Sequence, residues 1–139
     1  KMYEAGFFET TIDSIRILLV GFNRFRKLGP EAICEQERRL TLRAAEGLRR
    51  IGGLRVYARP DLAAQAGVLS LVPEGMDTEV LGQALAERGI AVRAGLHCAP
   101  LAHRTAGTLN TGTVRLSFSH WNTEEEADRL TAAVREILR

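Results

Sequence analysis

The sequence predicts an α+β fold with two layers, in which helices pack on one face of a small antiparallel sheet. Apolar residues recur at helical spacing in several segments, and short β-branched or alternating runs cluster in the last two-thirds of the chain. The predicted elements follow one another in the order ααββαββα. A length of 139 residues suits one core, so we expect a single domain over residues 1–139.

The first two elements are predicted helices. Between Thr10 and Leu28, apolar residues recur at steps of three and four, and Gly29-Pro30 ends the helix. The second helix begins at Pro30, which is favourable in a first turn, and ends at Gly52-Gly53. Its apolar face consists of Ile33, Leu40, Ala44, Leu48 and Ile51.

The middle of the chain predicts two adjacent antiparallel strands and then a helix. The runs Leu54–Tyr57 and Gly67–Val72 are short and rich in apolar or β-branched residues, with a polar segment between them. Asp77 is placed to cap the following helix, which Gly89 closes. A brief strand is then expected over Ile90–Arg93.

The last two elements have the clearest patterns. From Thr113 the residues alternate strictly, so Val114 and Leu116 are expected to face the core and Arg115 to face away from it. The run Thr123-Glu124-Glu125-Glu126 is a capping box with acids near the positive end of a helix, which continues to Ile137.

Composition excludes several classes of protein. Hydrophobic residues make up 45% and charged residues 26%, as in ordinary globular domains. A net charge of +2 gives no indication of nucleic-acid binding. Since no apolar run is long enough to span a bilayer and no signal peptide opens the chain, we expect a cytoplasmic protein without a membrane partner. The two cysteines are too few for a disulfide framework.

The long segment Ala94–Gly112 has no periodicity, and such loops in compact domains usually carry function. It contains His97, Cys98 and His103 and follows Arg93. Because a neighbouring positive charge favours the thiolate form, Cys98 is a candidate nucleophile. Residue types alone leave open the alternative of an inert cysteine beside a surface histidine. The other cysteine lies inside the second predicted helix and is expected to be a core or boundary residue.

The residue types allow three other kinds of site. His97, Cys98 and His103 could supply zinc ligands, but no paired ligand motif completes a closed site, so we expect no metal. The Gly- and Thr-rich run Gly107–Thr113 is better explained as a flexible loop than as a phosphate cradle. Arg115 could hold a carboxylate through two parallel hydrogen bonds, or it could be an ordinary surface arginine.

Three longer motifs carry a family resemblance. The segment Val92-Arg-Ala-Gly-Leu-His-Cys-Ala-Pro100, then Thr113-Val-Arg-Leu-Ser-Phe-Ser and Asn122-Thr-Glu-Glu-Glu, resembles the carboxy-terminal domain of the class V aminotransferases. Within that family the sequence is most similar to the cysteine desulfurases. The resemblance covers about four-fifths of the chain and implies the small domain of the fold-type I pyridoxal-phosphate enzymes.

The resemblance implies a role for each candidate residue. Cys98 would accept sulfur from substrate cysteine as a persulfide and Arg115 would hold the substrate carboxylate, with His97 and Arg93 in support. In the full-length family enzyme, a preceding large domain binds pyridoxal phosphate through a lysine. The lysines of this chain, Lys1 and Lys27, match no cofactor motif, so we expect no cofactor here and no turnover by the chain alone.

Residues 1–29 depart from the family and form a divergent first helix. After Tyr3-Glu4-Ala5-Gly6, the sequence has Phe7-Phe8-Glu9 where a Thr-Pro-Asn is expected, and large apolar residues replace small ones. Too many apolar residues occur for one helix face, which predicts a homodimer through this helix. The alternative is a monomer in which the predicted helix from Pro30 to Gly52 covers the second surface. The alternative to catalytic ancestry is therefore an excised or engineered scaffold that self-associates without catalysis. The nine large apolar residues of this segment are Phe7, Phe8, Ile12, Ile15, Ile17, Leu18, Leu19, Phe22 and Phe25.

Overall fold

The computed structural model describes residues 18–23, 25–61 and 64–139. The chain divides into two compact units, Lys1–Ile33 and Cys34–Arg139. In the first unit, residues 18–23 and 25–28 are helical, and we call this helix α1. The rest of the helix predicted from Thr10 lies outside the described residues. A single domain over residues 1–139 stays a prediction.

The described chain has an α+β fold, as the sequence predicts. None of its described helices is long and apolar enough to cross a membrane. The elements after α1 are α2 (Pro30–Arg49), β1 (Leu54–Tyr57), β2 (Val68–Pro73), α3 (Thr78–Glu87), β3 (Arg93–Gly95), α4 (Pro100–Ala106), β4 (Thr113–Ser117) and α5 (Glu124–Ile137).

The strands form one antiparallel sheet in the order β1-β2-β4-β3. One face of this sheet is apolar, because alternate residues of β2 and β4 point to the same side. Leu71 and Val114 are register partners on this face and are completely buried. Side chains of α2, α3 and α5 cover the face in one core cluster that includes Ala44, Leu48, Leu69, Leu71, Leu81, Leu85, Val114, Leu116, Leu130 and Val134.

Two predicted helix caps are confirmed. The Asp77 carboxylate accepts a hydrogen bond of 2.7 Å from the Glu79 backbone N–H at the start of α3. Thr123 and Glu126 form a complete capping box at the start of α5. These bonds satisfy backbone donors that the first turn of a helix leaves free. Both caps therefore fix where the helices begin.

The prediction of a strand over Ile90–Arg93 is wrong. The strand is Arg93–Gly95, where pairing with β4 begins. The Ile90 backbone N–H instead donates to the Leu85 carbonyl at 3.0 Å, so this residue belongs to the cap that follows α3. Gly89, with φ of 72°, provides the left-handed conformation that ends the helix.

The segment Ala94–Gly112 is not entirely a loop, because it contains the helix α4. This helix begins at Pro100 and is capped by Gly107, which has a left-handed φ of 70°. Only His103 of its residues is buried. A helix of seven residues with a single buried side chain has too little apolar periodicity to be recognised from sequence.

Candidate functional site

A row of polar side chains crosses the face of the sheet opposite the core. Tyr57 lies directly opposite Ser70, and Ser70 lies directly opposite Arg115. Arg93 of the short edge strand lies opposite Arg115 on its other side. The alternation predicted for β4 is confirmed, because Val114 and Leu116 are buried in the core while Arg115 is half-buried on the polar face.

Arg115 has unsatisfied hydrogen-bonding capacity. Its Nε atom is buried and has no hydrogen-bond partner, and no described carboxylate forms a salt bridge with the side chain. A buried donor without a partner costs free energy, and like charges directly opposite each other on a sheet repel. An anion beside Arg115 and Arg93 would relieve both costs. The arrangement therefore suits a carboxylate or another oxyanion.

Cys98 lies in the turn between β3 and α4, and it is an exposed free thiol. Its backbone and that of His97 are both left-handed, with φ of 58° and 52°. Because neither residue is glycine, this conformation is unfavourable and must be held by its surroundings. The Ala99 backbone N–H donates to the Leu96 carbonyl at 2.9 Å and closes the turn.

His97 connects this turn to the sheet. Its Nε2 atom lies 3.1 Å from the carbonyl oxygen and 3.2 Å from the Oγ1 of Thr113, the first residue of β4. Thr113 is buried and precedes Arg115 by two residues on the same face. The residue before the thiol is thus bonded to the strand that carries the candidate carboxylate-binding arginine.

Burial lowers the pKa of His97, and the positive charges of Arg115 and Arg93 and the neighbouring His103 lower it further. The hydrogen bond to Thr113 opposes this effect. A carbonyl oxygen only accepts hydrogen bonds, so Nε2 carries the proton when the imidazole is neutral. His97 is therefore expected to be a neutral donor at neutral pH.

A cleft of about 220 Å³ separates α4 from the polar face of the sheet. Buried His103 anchors the helix, because its Nδ1 atom lies 2.8 Å from Thr108 Oγ1. The Tyr57 hydroxyl donates to the Ala106 carbonyl at 3.4 Å. The cleft is lined by Tyr57, Ser70, His97, Ala99, Ala102, His103, Ala106, Thr108 and Thr113.

The structure brings Arg93 and Arg115 together, and it joins His97 to the base of β4. His97 and His103 have ring centroids 5.9 Å apart, but in the described part of the chain no group of three His, Cys, Asp or Glu side chains could hold a metal ion. Cys34 is exposed on α2, so its prediction as a core or boundary residue is wrong.

Sequence reasoning missed Tyr57, Ser70 and Thr113 as parts of the site. Tyr57 and Ser70 join the site only through strand register, since they lie opposite one another and next to Arg115. The signal for this row is the register of β1, β2 and β4, which alignment of their alternating apolar patterns would give. Thr113 contributes a backbone carbonyl, for which no residue type gives a signal.

Comparison with known families gives one match over most of the chain. Residues 1–130 match the sequence model of the class-V aminotransferases. A probable cysteine desulfurase 2 of Mycobacterium leprae is 38% identical over 111 residues, which are 80% of this chain and 26% of that protein. A cysteine desulfurase of Synechococcus elongatus is 46% identical over 112 residues, 81% of this chain and 17% of that protein.

Solved structures show the same fold. The apo cysteine desulfurase of Thermococcus onnurineus has a TM-score of 0.79 and 30% identity, with 85% of this chain and 29% of that chain covered. The S-sulfonic acid form of the Escherichia coli cysteine desulfurase CsdA has a TM-score of 0.67 and 33% identity, with 75% and 25% covered. The chain therefore spans about a quarter of the length of these two structures.

Proposed function

Because the chain belongs to the class-V aminotransferase family, we propose that it serves as the small domain of a cysteine desulfurase, with Cys98 as sulfur acceptor and Arg115 as carboxylate clamp. The whole of such an enzyme would be several times longer than this chain, since the matched relatives are. We expect no turnover by the chain alone.

The observation that carries the proposal is the unpartnered, buried Nε of Arg115 beside Arg93. A guanidinium that no carboxylate of the described residues pairs with is available to bind one from a substrate through two parallel hydrogen bonds. The strand β4 holds Arg115 rigidly, so the bound amino acid would be fixed in position. Arg93 would add positive charge on the same face.

Cys98 has the chemistry of an acceptor. Its thiolate sulfur would form a bond to the sulfur of the substrate cysteine, while the bond between that sulfur and the β-carbon breaks. The electron pair of the broken bond stays with the carbon fragment, which then takes up a proton. Cys98 is left as a persulfide. Its exposure and its position in a turn allow it to reach a substrate from outside the domain.

Pyridoxal phosphate supplies stabilisation of carbanions in enzymes of this kind. Residues 34–139 contain no lysine, so the unit that carries Cys98 and Arg115 cannot supply the Schiff-base lysine. The residues of this unit therefore do not fit the covalent cofactor site. We infer that the large domain of the full-length family enzyme would hold the cofactor.

The proposal is tested in a chimera in which this chain replaces the matching segment of the Synechococcus elongatus relative. Its cofactor absorbance band verifies that the large domain is loaded, and turnover of cysteine by the unsubstituted chimera verifies that the two parts assemble. Arg115→Gln should raise the KM for cysteine about 10- to 100-fold, because a charged hydrogen-bonded pair is worth roughly 1.5–3 kcal/mol.

Arg55→Gln is the matched control, since Arg55 lies on the outer strand of the same face and donates to Tyr57 at 3.4 Å. It should leave KM unchanged. An Arg115→Gln chimera that binds cofactor and keeps the parent KM would contradict the role of Arg115.

A second candidate function is self-association, favoured by the exposure of α1. Leu18, Phe22 and Phe25 are 72%, 57% and 47% exposed. Burying a large apolar side chain contributes about 1.5–3 kcal/mol, so a few such residues could offset the cost of association. A homodimer through this helix would suit a scaffold, and it would also be compatible with the small-domain role.

Sedimentation of the chain at high micromolar concentration tests the second candidate, self-association. A dimer that Leu18→Glu and Phe25→Glu each dissociate would support self-association through α1. Val80→Glu serves as the control, because Val80 is 55% exposed on α3. A wild-type chain that stays monomeric would exclude the scaffold function.

A further inference from the structure

The turn that carries Cys98 holds an unfavourable backbone conformation. Consecutive left-handed residues occur at His97 and Cys98, and neither is glycine. Such residues persist only where the surrounding structure determines them. The other positive φ angles in the described chain belong to glycines. Contacts with the surrounding structure must therefore stabilise this turn.

Among the described residues, few hydrogen bonds connect the Cys98 turn to the rest of the domain. Cys98 is exposed, and α4, which follows it, buries only His103. The Ala99-to-Leu96 bond lies within the turn and cannot fix it to the rest of the domain. His97, the residue just before the thiol, connects the turn to the sheet through Thr113.

The anchor of that connection is rigid. Thr113 is buried, pairs with Gly95 across the sheet, and begins the strand that carries Arg115. A Cβ added to the adjacent Gly112 would lie 2.9 Å from the Gly95 backbone, so the two chain segments are in tight contact there. Loss of His97 Nε2 would remove both of its hydrogen-bonding contacts to Thr113 of β4.

We propose that His97 is a positioning residue, whose Nε2–H···O=C bond to Thr113 clamps the Cys98 turn to β4, the strand that carries Arg115, and restricts the exposed thiol. Its catalytic consequence rests on the proposed function, whereas the clamp itself is a property of this chain. The imidazole is not required to exchange a proton with substrate. Its part is to restrict where the acceptor sulfur can go.

The clamp is tested with a nitroxide spin label on Cys98 in the 139-residue chain carrying Cys34→Ser. His97→Ala should increase the mobility of the label several-fold, and His97→Leu, which retains volume without a donor, should do the same. His97→Gln presents an amide N–H at similar reach and should restore the wild-type spectrum. His120→Ala is the matched control, because His120 lies outside this turn and should leave the label unchanged.

Two results would overturn the inference: a label in His97→Ala or His97→Leu as restricted as in the wild-type chain, or a label in His97→Gln as mobile as in His97→Leu. Thr113→Val keeps the carbonyl acceptor and should preserve most of the restriction. A fully mobile label in Thr113→Val with an intact fold would also contradict the assignment of the carbonyl as anchor.

The same substitutions in the chimera separate the clamp from the proposed function. His97→Leu should lower kcat while KM for cysteine stays near the parent value, because Arg115 is untouched, and His97→Gln should recover kcat. If the label becomes mobile but the parent chimera never forms a persulfide on Cys98, the clamp stands and the proposed function fails. If the label does not respond, the clamp fails whatever the activity.

Discussion

Replacing Arg115 with methionine should stabilise the isolated chain, although it should abolish carboxylate binding. The expectation follows from the buried Nε without a partner and from the like charge of Arg93 directly opposite. A residue retained for ligand binding commonly reduces stability, whereas a structural arginine adds to it. Arg115→Met therefore distinguishes a binding residue from an ordinary surface arginine.

The expected gain comes from two contributions. A buried donor without a partner costs about 1–3 kcal/mol, and directly opposed like charges cost roughly 0.2–1 kcal/mol. Methionine has a similar unbranched stem and adds no polar atom that needs a partner. The free energy of unfolding should rise by about 1–4 kcal/mol, which corresponds to an increase in Tm of roughly 2–8 °C for each kcal/mol.

Urea unfolding followed by circular dichroism measures this change. Arg93→Met, at the exposed position opposite, should gain only about 0.2–1 kcal/mol, because it removes the repulsion but leaves Nε without a partner. The double variant should show that the two gains are not additive. A loss of more than about 1 kcal/mol in Arg115→Met would refute the reasoning, since it would mean that Arg115 makes stabilising contacts within the domain.

Three further results are expected. In the folded chain Cys98 should react with a thiol reagent faster than Cys34, because it lies in a turn that follows the cationic Arg93, whereas Cys34 lies within a helix; equal or reversed rates by peptide mapping would argue against Cys98 as the more reactive thiol. Added pyridoxal phosphate should give no stoichiometric absorbance band with the isolated chain, because its lysines match no cofactor motif. Saturable binding at one site would contradict the expectation that this chain holds no cofactor. Because the pKa of His97 is lowered from 6.5, its contribution to stability is present above that value and lost on acidification; the urea midpoint should therefore fall less between about pH 7 and pH 5 in His97→Gln than in the wild type.

Much of the fold could be predicted from the sequence because its signals are local. The Asp77 cap, the Thr123 capping box and the alternation after Thr113 each depend on residues close in the chain. The strand at Arg93–Gly95 was misplaced because its position depends on pairing with β4, which local apolarity does not encode. Helix α4 was missed because it buries one histidine and presents no apolar face.

The site was predicted in part for the same reason. Cys98, His97, Arg93 and Arg115 have side chains whose chemistry is visible in the sequence. The bond from His97 to the Thr113 carbonyl is not, because it joins backbone and side chain across 16 positions. Cys34 was misassigned because a small, apolar thiol inside an amphipathic helix gives no indication of which side of the apolar stripe it occupies.

Mass spectrometry of the cofactor-loaded chimera after reaction with cysteine tests the central claim most directly. The peptide that contains Cys98 should gain the mass of one sulfur atom, the gain should be removed by a thiol reductant, and Cys98→Ser should abolish it together with sulfide release. The peptide that contains Cys34 should remain unmodified. An active chimera whose Cys98 peptide never gains sulfur, or one that keeps full activity after Cys98→Ser, would contradict the assignment of Cys98 as the sulfur acceptor.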